Sequence, residues 1–215
     1  MIVEPTSSFE RELHEGGAQY VIGCDEVGRG AIAGPVAVGM VVVDASVGAF
    51  PDGLRDSKLL SEPKREALAP VCAEWAIHSA VGLASALEVD RLGIIASLGL
   101  AGKRALAALR ESGAPIMAAT LVLDGNHDYL SPALADRPTI VTRIKADQTC
   151  ASVSAASVIA KVHRDRLMID LHGRVPAYGW AANKGYGSAA HFAAIDEVGP
   201  SEFHRLTWLK PHGVD

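Results

Sequence analysis

Short apolar runs broken by glycine and proline open the chain and predict strands over residues 20–24 and 35–43, joined by a Gly-rich turn. A third apolar stretch, 75–83, completes an expected antiparallel meander. Between the second and third strands, Ser61-Glu62-Pro63-Lys64-Arg65 has the form of a helix start, with Ser61 as the cap and Glu62 in the first turn. Over 88–109 the positions Val89, Leu92, Ile95, Ala96, Leu100 and Leu106 recur at helical spacing and predict one longer helix, ended by Gly113-Ala114-Pro115. The runs 116–123 and 139–144 are short and partly β-branched, as buried strands are, and a loop rich in Asp, Asn and Pro lies between them. An Ala-rich helix over 152–171, strongly charged in its second half, and a short helix over 191–197 follow. Strands first and strand–helix alternation afterwards predict an α/β fold with a mixed sheet. The first twenty residues are polar and are expected to be loosely ordered.

Composition narrows the class. At 215 residues and 49% hydrophobic content the chain can bury one sizeable core. Cys24, Cys72 and Cys150 form no C-x-x-C pair, which suits a reduced compartment. The acidic N-terminus lacks the apolar core of a signal peptide, and no uncharged apolar run reaches membrane-spanning length, so a cytoplasmic protein is expected. A net charge of -5 argues mildly against a nucleic-acid partner, yet an acidic cluster can coexist with a local basic face.

The candidate chemistry is carboxylate chemistry. Asp25 and Glu26 stand at the end of the first strand, Asp124 ends another, and Asp147 follows a third. Strand ends are where ligand sites are built in open α/β sheets. Two like charges about 4 Å apart repel by about 4 kcal/mol at an effective dielectric of ~20, so four converging acids need a cation. An all-oxygen set favours Mg²⁺ or Mn²⁺ over zinc, and two such ions support phosphodiester displacement. Taken singly, acids beside strand ends are more often turn formers or helix caps than ligands, Asp124-Gly125 above all.

Other local patterns fail. The glycines of 23–30 approach a phosphate loop, but Arg29 and Gly30 stand where Lys and Ser/Thr are required. Asp124-Gly125-Asn126-His127-Asp128 is similar to a signature of calcineurin-like metallophosphoesterases, whose upstream Asp-x-His is missing here.

The string Gly23-Cys24-Asp25-Glu26-Val27-Gly28-Arg29-Gly30-Ala31-Ile32-Ala33-Gly34-Pro35-Val36 resembles the first motif of type 2 ribonuclease H almost residue for residue. Further matches follow in the family's order: Asp56-Ser57-Lys58-Leu59, Asp124-Gly125, Lys145-Ala146-Asp147, the stretch from Ala155 to Asp165, Asn183-Lys184-Gly185-Tyr186-Gly187 and His204-Arg205. Gly93-Ile94-Ile95 departs from an Asn-Ile-Leu common in the family, and the connection 128–138 is longer than in many members.

The resemblance implies a ribonuclease-H-like mixed five-stranded sheet flanked by helices, with a small helical C-terminal extension. The expected division is a flexible segment over 1–18, a catalytic domain over 19–172 and an extension over 173–215 that contributes to substrate binding. It implies an endoribonuclease that cuts 5' to a ribonucleotide in RNA–DNA hybrids or in duplex DNA, leaving 3'-hydroxyl and 5'-phosphate ends. Asp25, Glu26, Asp124 and Asp147 would hold two Mg²⁺ or Mn²⁺ ions. Gly28, Arg29 and Gly30 would present backbone groups to the 2'-hydroxyl, and Tyr186 would stack on the neighbouring sugar. Lys58, Lys161, Arg164 and Ser57 would contact phosphate, the alternatives being a solvated helix face for Lys161 and Arg164 and a turn cap for Ser57. A monomer without membrane contact is expected. A metallophosphoesterase and a catalytically silent hybrid-binding module are the other classes to test.

Overall fold

A computed structural model describes residues 4–209. Its centre is a five-stranded sheet in the order β3-β2-β1-β4-β5. Strands β1 (Tyr20–Val27), β2 (Val36–Val43) and β3 (His78–Ala84) form the antiparallel meander, while β4 (Ala119–Asp124) and β5 (Thr139–Arg143) extend it in parallel. The mixed sheet follows from connection length: a Gly-rich turn joins β1 to β2, whereas long helical segments bring the chain back for β4. On one face, Ile22, Met40 and Leu121 pack against α4 (Ile94–Glu111); on the other, Val21, Val41 and Val122 pack with α2 (Glu62–Trp75) and α6 (Ala151–Arg174). Helix α6 lies flush on β1 because residue 23 has no side chain: a Cβ there would enter the backbone of Ser152 and Val153.

The polar N-terminal stretch, expected to be loosely ordered, contains a helix, α1 (Ser8–Glu15). Its buried Glu10 accepts hydrogen bonds from the Ser152 amide (2.8 Å) and hydroxyl (2.7 Å), which caps the start of α6. The single helix expected over 88–109 is two helices, α3 (Ala86–Leu92) and α4, separated at Gly93 with φ 77°. The third strand begins later than expected, since Trp75 still belongs to α2. Beyond β5 come the short helix α5 (Ala146–Thr149), α6, α7 (Trp180–Asn183) and α8 (Ala189–Val198). The last two pack with the end of α6 around Tyr178 and Trp180. Among the described residues no helix is long and apolar enough to cross a membrane.

Candidate active site

Strand pairing brings the acids to one edge of the sheet. The β1–β4 register sets Cys24 beside Leu123, so Asp25 and Asp124, each one residue further on, are neighbours. Asp147 lies in the first turn of α5, and its amide donates to Asp124 Oδ1 at 3.2 Å. Asp25 is 2% exposed; its Oδ1 accepts from the Glu26 amide at 2.8 Å, and its buried Oδ2 has no hydrogen-bond partner among the described residues. Consecutive strand residues point to opposite faces, so Glu26 leaves β1 on the other side. There it meets the Arg29 guanidinium at 3.4 Å and the Tyr129 hydroxyl at 3.5 Å.

The electrostatics express crowding. Burial, then Glu26 and Asp124, pushes the Asp25 carboxyl well above the usual range. Burial raises Glu26 as well, against the pull of Arg29. Burial and Asp124 push Asp147 up to about 6. Lys58 is the nearby counter-charge: its ammonium stands 3.4 Å from Asp147 Oδ2 on a side chain 68% exposed. Burial alone would lower its pKa, but Asp25, Asp56 and Asp147 together raise it. Among the described residues no three acids close to metal-ligand spacing. They line one edge as a crowded, incompletely neutralised set of oxygens.

The expected phosphate contacts separate sharply. Lys58 is presented to solvent by a turn in which Asp56 Oδ1 accepts from the Lys58 amide at 3.0 Å. Asp56, not Ser57, therefore caps the turn. Ser57 is buried with its hydroxyl 2.8 Å from that of Ser157, so it neither caps nor faces a phosphate. Lys161 is half-buried, and both carboxylate oxygens of Asp165 accept from its ammonium. Arg164 corrects both of its expectations, phosphate contact and solvated face. It is fully buried and donates to the carbonyls of Pro35 (2.8 Å), Lys184 (2.8 Å) and Ala33 (3.1 Å).

Those bonds tie the glycine turn to the C-terminal module. Gly28 takes φ 82°, and a Cβ on it would run into the Arg164 guanidinium. Gly30 faces open space and Arg29 is exposed. The Gly185 carbonyl accepts from the Ile32 (2.9 Å) and Ala33 (3.0 Å) amides, which places the 183–187 loop beside the turn. Tyr186 on that loop is 38% exposed, with the Arg164 guanidinium 5.5 Å from its ring centre. Two site residues escaped the sequence reading. Tyr129 lies in the connection 128–138, to which no role was assigned, yet it is buried and reaches Glu26. Arg205 stood only as part of a matched motif, and nothing in the local sequence marks it as buried. His127 is an exposed loop residue.

Comparison with known proteins gives the family and the fold. The family model described as Ribonuclease HII matches residues 22–210. The Ribonuclease HII of Streptomyces avermitilis is 46% identical over 205 residues, covering 95% of this chain and 83% of that protein. Among solved structures, the ribonuclease H2 of Pyrococcus horikoshii superposes with a TM-score of 0.70 at 27% identity, covering 88% of this chain and 93% of the other. The Bst ribonuclease HIII in complex with Mn²⁺ superposes with a TM-score of 0.66 at 28% identity, covering 86% and 65%.

Proposed function

This chain belongs to the ribonuclease HII family and is an endoribonuclease acting on RNA–DNA hybrids, and from that premise we propose how its own residues divide the work. Asp25, Glu26, Asp124 and Asp147 hold divalent cations. The observation that carries this is the buried Asp25 Oδ2, which has no hydrogen-bond partner among the described residues, in a cluster where burial and neighbouring carboxylates raise the carboxyls of Asp25, Glu26 and Asp147. A buried oxygen left without a donor is costly, and an all-carboxylate set suits hard, oxygen-seeking ions. Mg²⁺ and Mn²⁺ both fit, and the Mn²⁺ complex of the ribonuclease HIII relative supports the second. Bound there, two ions would supply an activated water and charge neutralisation on the scissile phosphate.

The chain's own groups do the rest. The Asp124 carboxylate fixes the Asp147 backbone and so sets the spacing between β4 and α5. Tyr129 and Arg29 orient Glu26 from opposite ends of its carboxylate, one at Oε2 and the other at Oε1. Lys58 offers an exposed ammonium to a backbone phosphate at the rim. The Gly28-Arg29-Gly30 turn reads the ribonucleotide through backbone amides, for which residue 30 leaves the approach clear. Tyr186 offers a ring face to the adjoining sugar. Lys161, neutralised by Asp165, contributes at most a distant field. The substrate is a duplex with ribonucleotides in one strand, either a hybrid or DNA with a single ribonucleotide embedded. Mapping the products from the latter, with Mg²⁺ or Mn²⁺ added, tests the reading. A cut on the 5' side of the ribonucleotide, leaving a 3'-hydroxyl, is expected; a cut on its 3' side or equal cutting of all-DNA duplex contradicts it.

A further inference from the structure

Arg205 is 0% exposed, and no carboxylate among the described residues is bonded to it. Its guanidinium is surrounded by carbonyls: Gly28 O at 2.7 Å, Arg29 O at 2.9 Å and Gly34 O at 3.2 Å and 3.3 Å. Its backbone is pinned too, the amide donating to Ile32 O at 2.8 Å, and the Trp208 ring lies 4.9 Å from the charge. Burial and the nearby Arg164 lower its pKa to about 10, so it stays charged at neutral pH. A buried cation with no carboxylate in direct contact needs its donors satisfied by other oxygens, and here those oxygens all belong to the glycine turn and its exit, with Asp90 acting only at a distance.

The direction of those carbonyls decides that of the amides. In a trans peptide, C=O of one residue and N–H of the next point oppositely. Drawing the Gly28 and Arg29 carbonyls inward onto Arg205 turns the Arg29 and Gly30 N–H groups outward, and neither donates to another group among the described residues. Two successive free N–H groups after a residue at φ 82° form a concavity suited to an anionic or hydroxyl oxygen. We propose that Arg205 is the positioning residue for substrate selection: it locks the two amides of Arg29 and Gly30 toward the ribonucleotide and polarises them with its charge. This rests on the reading of the turn as the substrate-facing element. Lysine cannot replace it, since one ammonium cannot span carbonyls on three residues in a fixed plane.

Steady-state kinetics on a DNA duplex with one ribonucleotide, with Mg²⁺ or Mn²⁺ added, separate the two layers of this claim. Gly30→Ala places a methyl in open space, so the fold is kept while the approach is obstructed. Its KM is expected to rise about tenfold, as for one lost hydrogen bond to substrate. Arg205→Lys should raise KM similarly with kcat within about twofold, and the double variant should add little, because both changes act on one turn. An unchanged KM in Gly30→Ala overturns the reading of the turn itself. A raised KM there with an unchanged KM in Arg205→Lys overturns the role of Arg205 alone, whatever happens to its melting temperature. Should Arg205→Lys fail to fold, Trp208→Leu loosens the same guanidinium from its ring. An increase in KM of about threefold then supports the role, and no increase overturns it.

Discussion

Lowering the pH from 7 to 5 should weaken the C-terminal module through His204. Its Nδ1 accepts from the Ser201 amide at 2.9 Å, and its Nε2 lies 3.1 Å from His191 Nε2. His191 Nε2 also accepts from Trp180 Nε1 at 3.0 Å, and its Nδ1 is 2.9 Å from the Tyr186 carbonyl. The Trp180 and His204 N–H groups share the one lone pair of His191 Nε2, which requires both rings neutral: Nε2–H on His204 and Nδ1–H on His191, a tautomer assignment that follows from the donors. A further proton on either ring would face an N–H donor. Burial and the neighbouring imidazole lower His204 from 6.5 to about 4. The unfolded chain therefore takes up a proton near pH 6.5 that the folded chain refuses until about pH 4. Stability is fully present above the first value and is lost as pH falls between the two. At pH 5 the loss relative to pH 7 is about 2 kcal/mol, equivalent to about 4–8 °C in melting temperature for a chain of this size. Urea unfolding of wild type and His204→Gln at both pH values isolates the effect, because the carboxylates titrate in both proteins. The wild type should lose about 2 kcal/mol more than the variant between pH 7 and 5. An equal loss in the two proteins refutes the reasoning.

Two further outcomes follow from packing and exposure. Gly23→Ala should destabilise the protein by at least about 2 kcal/mol in urea unfolding, since the new methyl meets helix backbone rather than a side chain that can move; a change within about 0.5 kcal/mol would show that α6 can shift. Tyr186→Ala removes a half-exposed ring and should leave the unfolding midpoint nearly unchanged while slowing cleavage at a single ribonucleotide about tenfold, a loss measured by single-turnover kinetics and absent if the ring does not stack on the substrate.

Much of this was legible in the sequence because it is local. The meander of β1, β2 and β3, Asp124 at the end of β4 and the start of α2 after Ser61 follow from apolar periodicity and turn residues, although Ser61 makes no side-chain cap bond. What was hidden depends on partners far along the chain. The apolar positions of α3 and α4 continue in phase across Gly93, so periodicity could not show that the backbone leaves the helix at φ 77°. Helix α1 is polar in composition because one of its acids, Glu10, serves as a buried acceptor for Ser152, which sequence alone reads as solvated. Arg164 sits in a charged run that resembles an exposed helix face; only the fold reveals that the face is covered by the 33–35 and 184–185 segments. Tyr129 belongs to a connection with no periodicity, and its place beside Glu26 arises from the loop's return over the sheet edge. The acids were read as strand ends, yet only Asp124 closes its strand: Asp25 and Glu26 lie within β1 and Asp147 in α5, and the approach of Asp25 to Asp124 required the β1–β4 register.

The most direct test of the account is cleavage of a DNA duplex bearing one ribonucleotide by wild type, Asp25→Asn and Asp124→Asn, each titrated with Mn²⁺ and with Mg²⁺ and each checked for an intact fold. The account predicts metal-dependent cutting by wild type and a loss of at least about a thousandfold in each variant, of the size seen when a main electrostatic group of an active site is removed. Cutting by either variant at the wild-type rate and metal dependence would remove that carboxylate from the chemistry and contradict the assignment of the site.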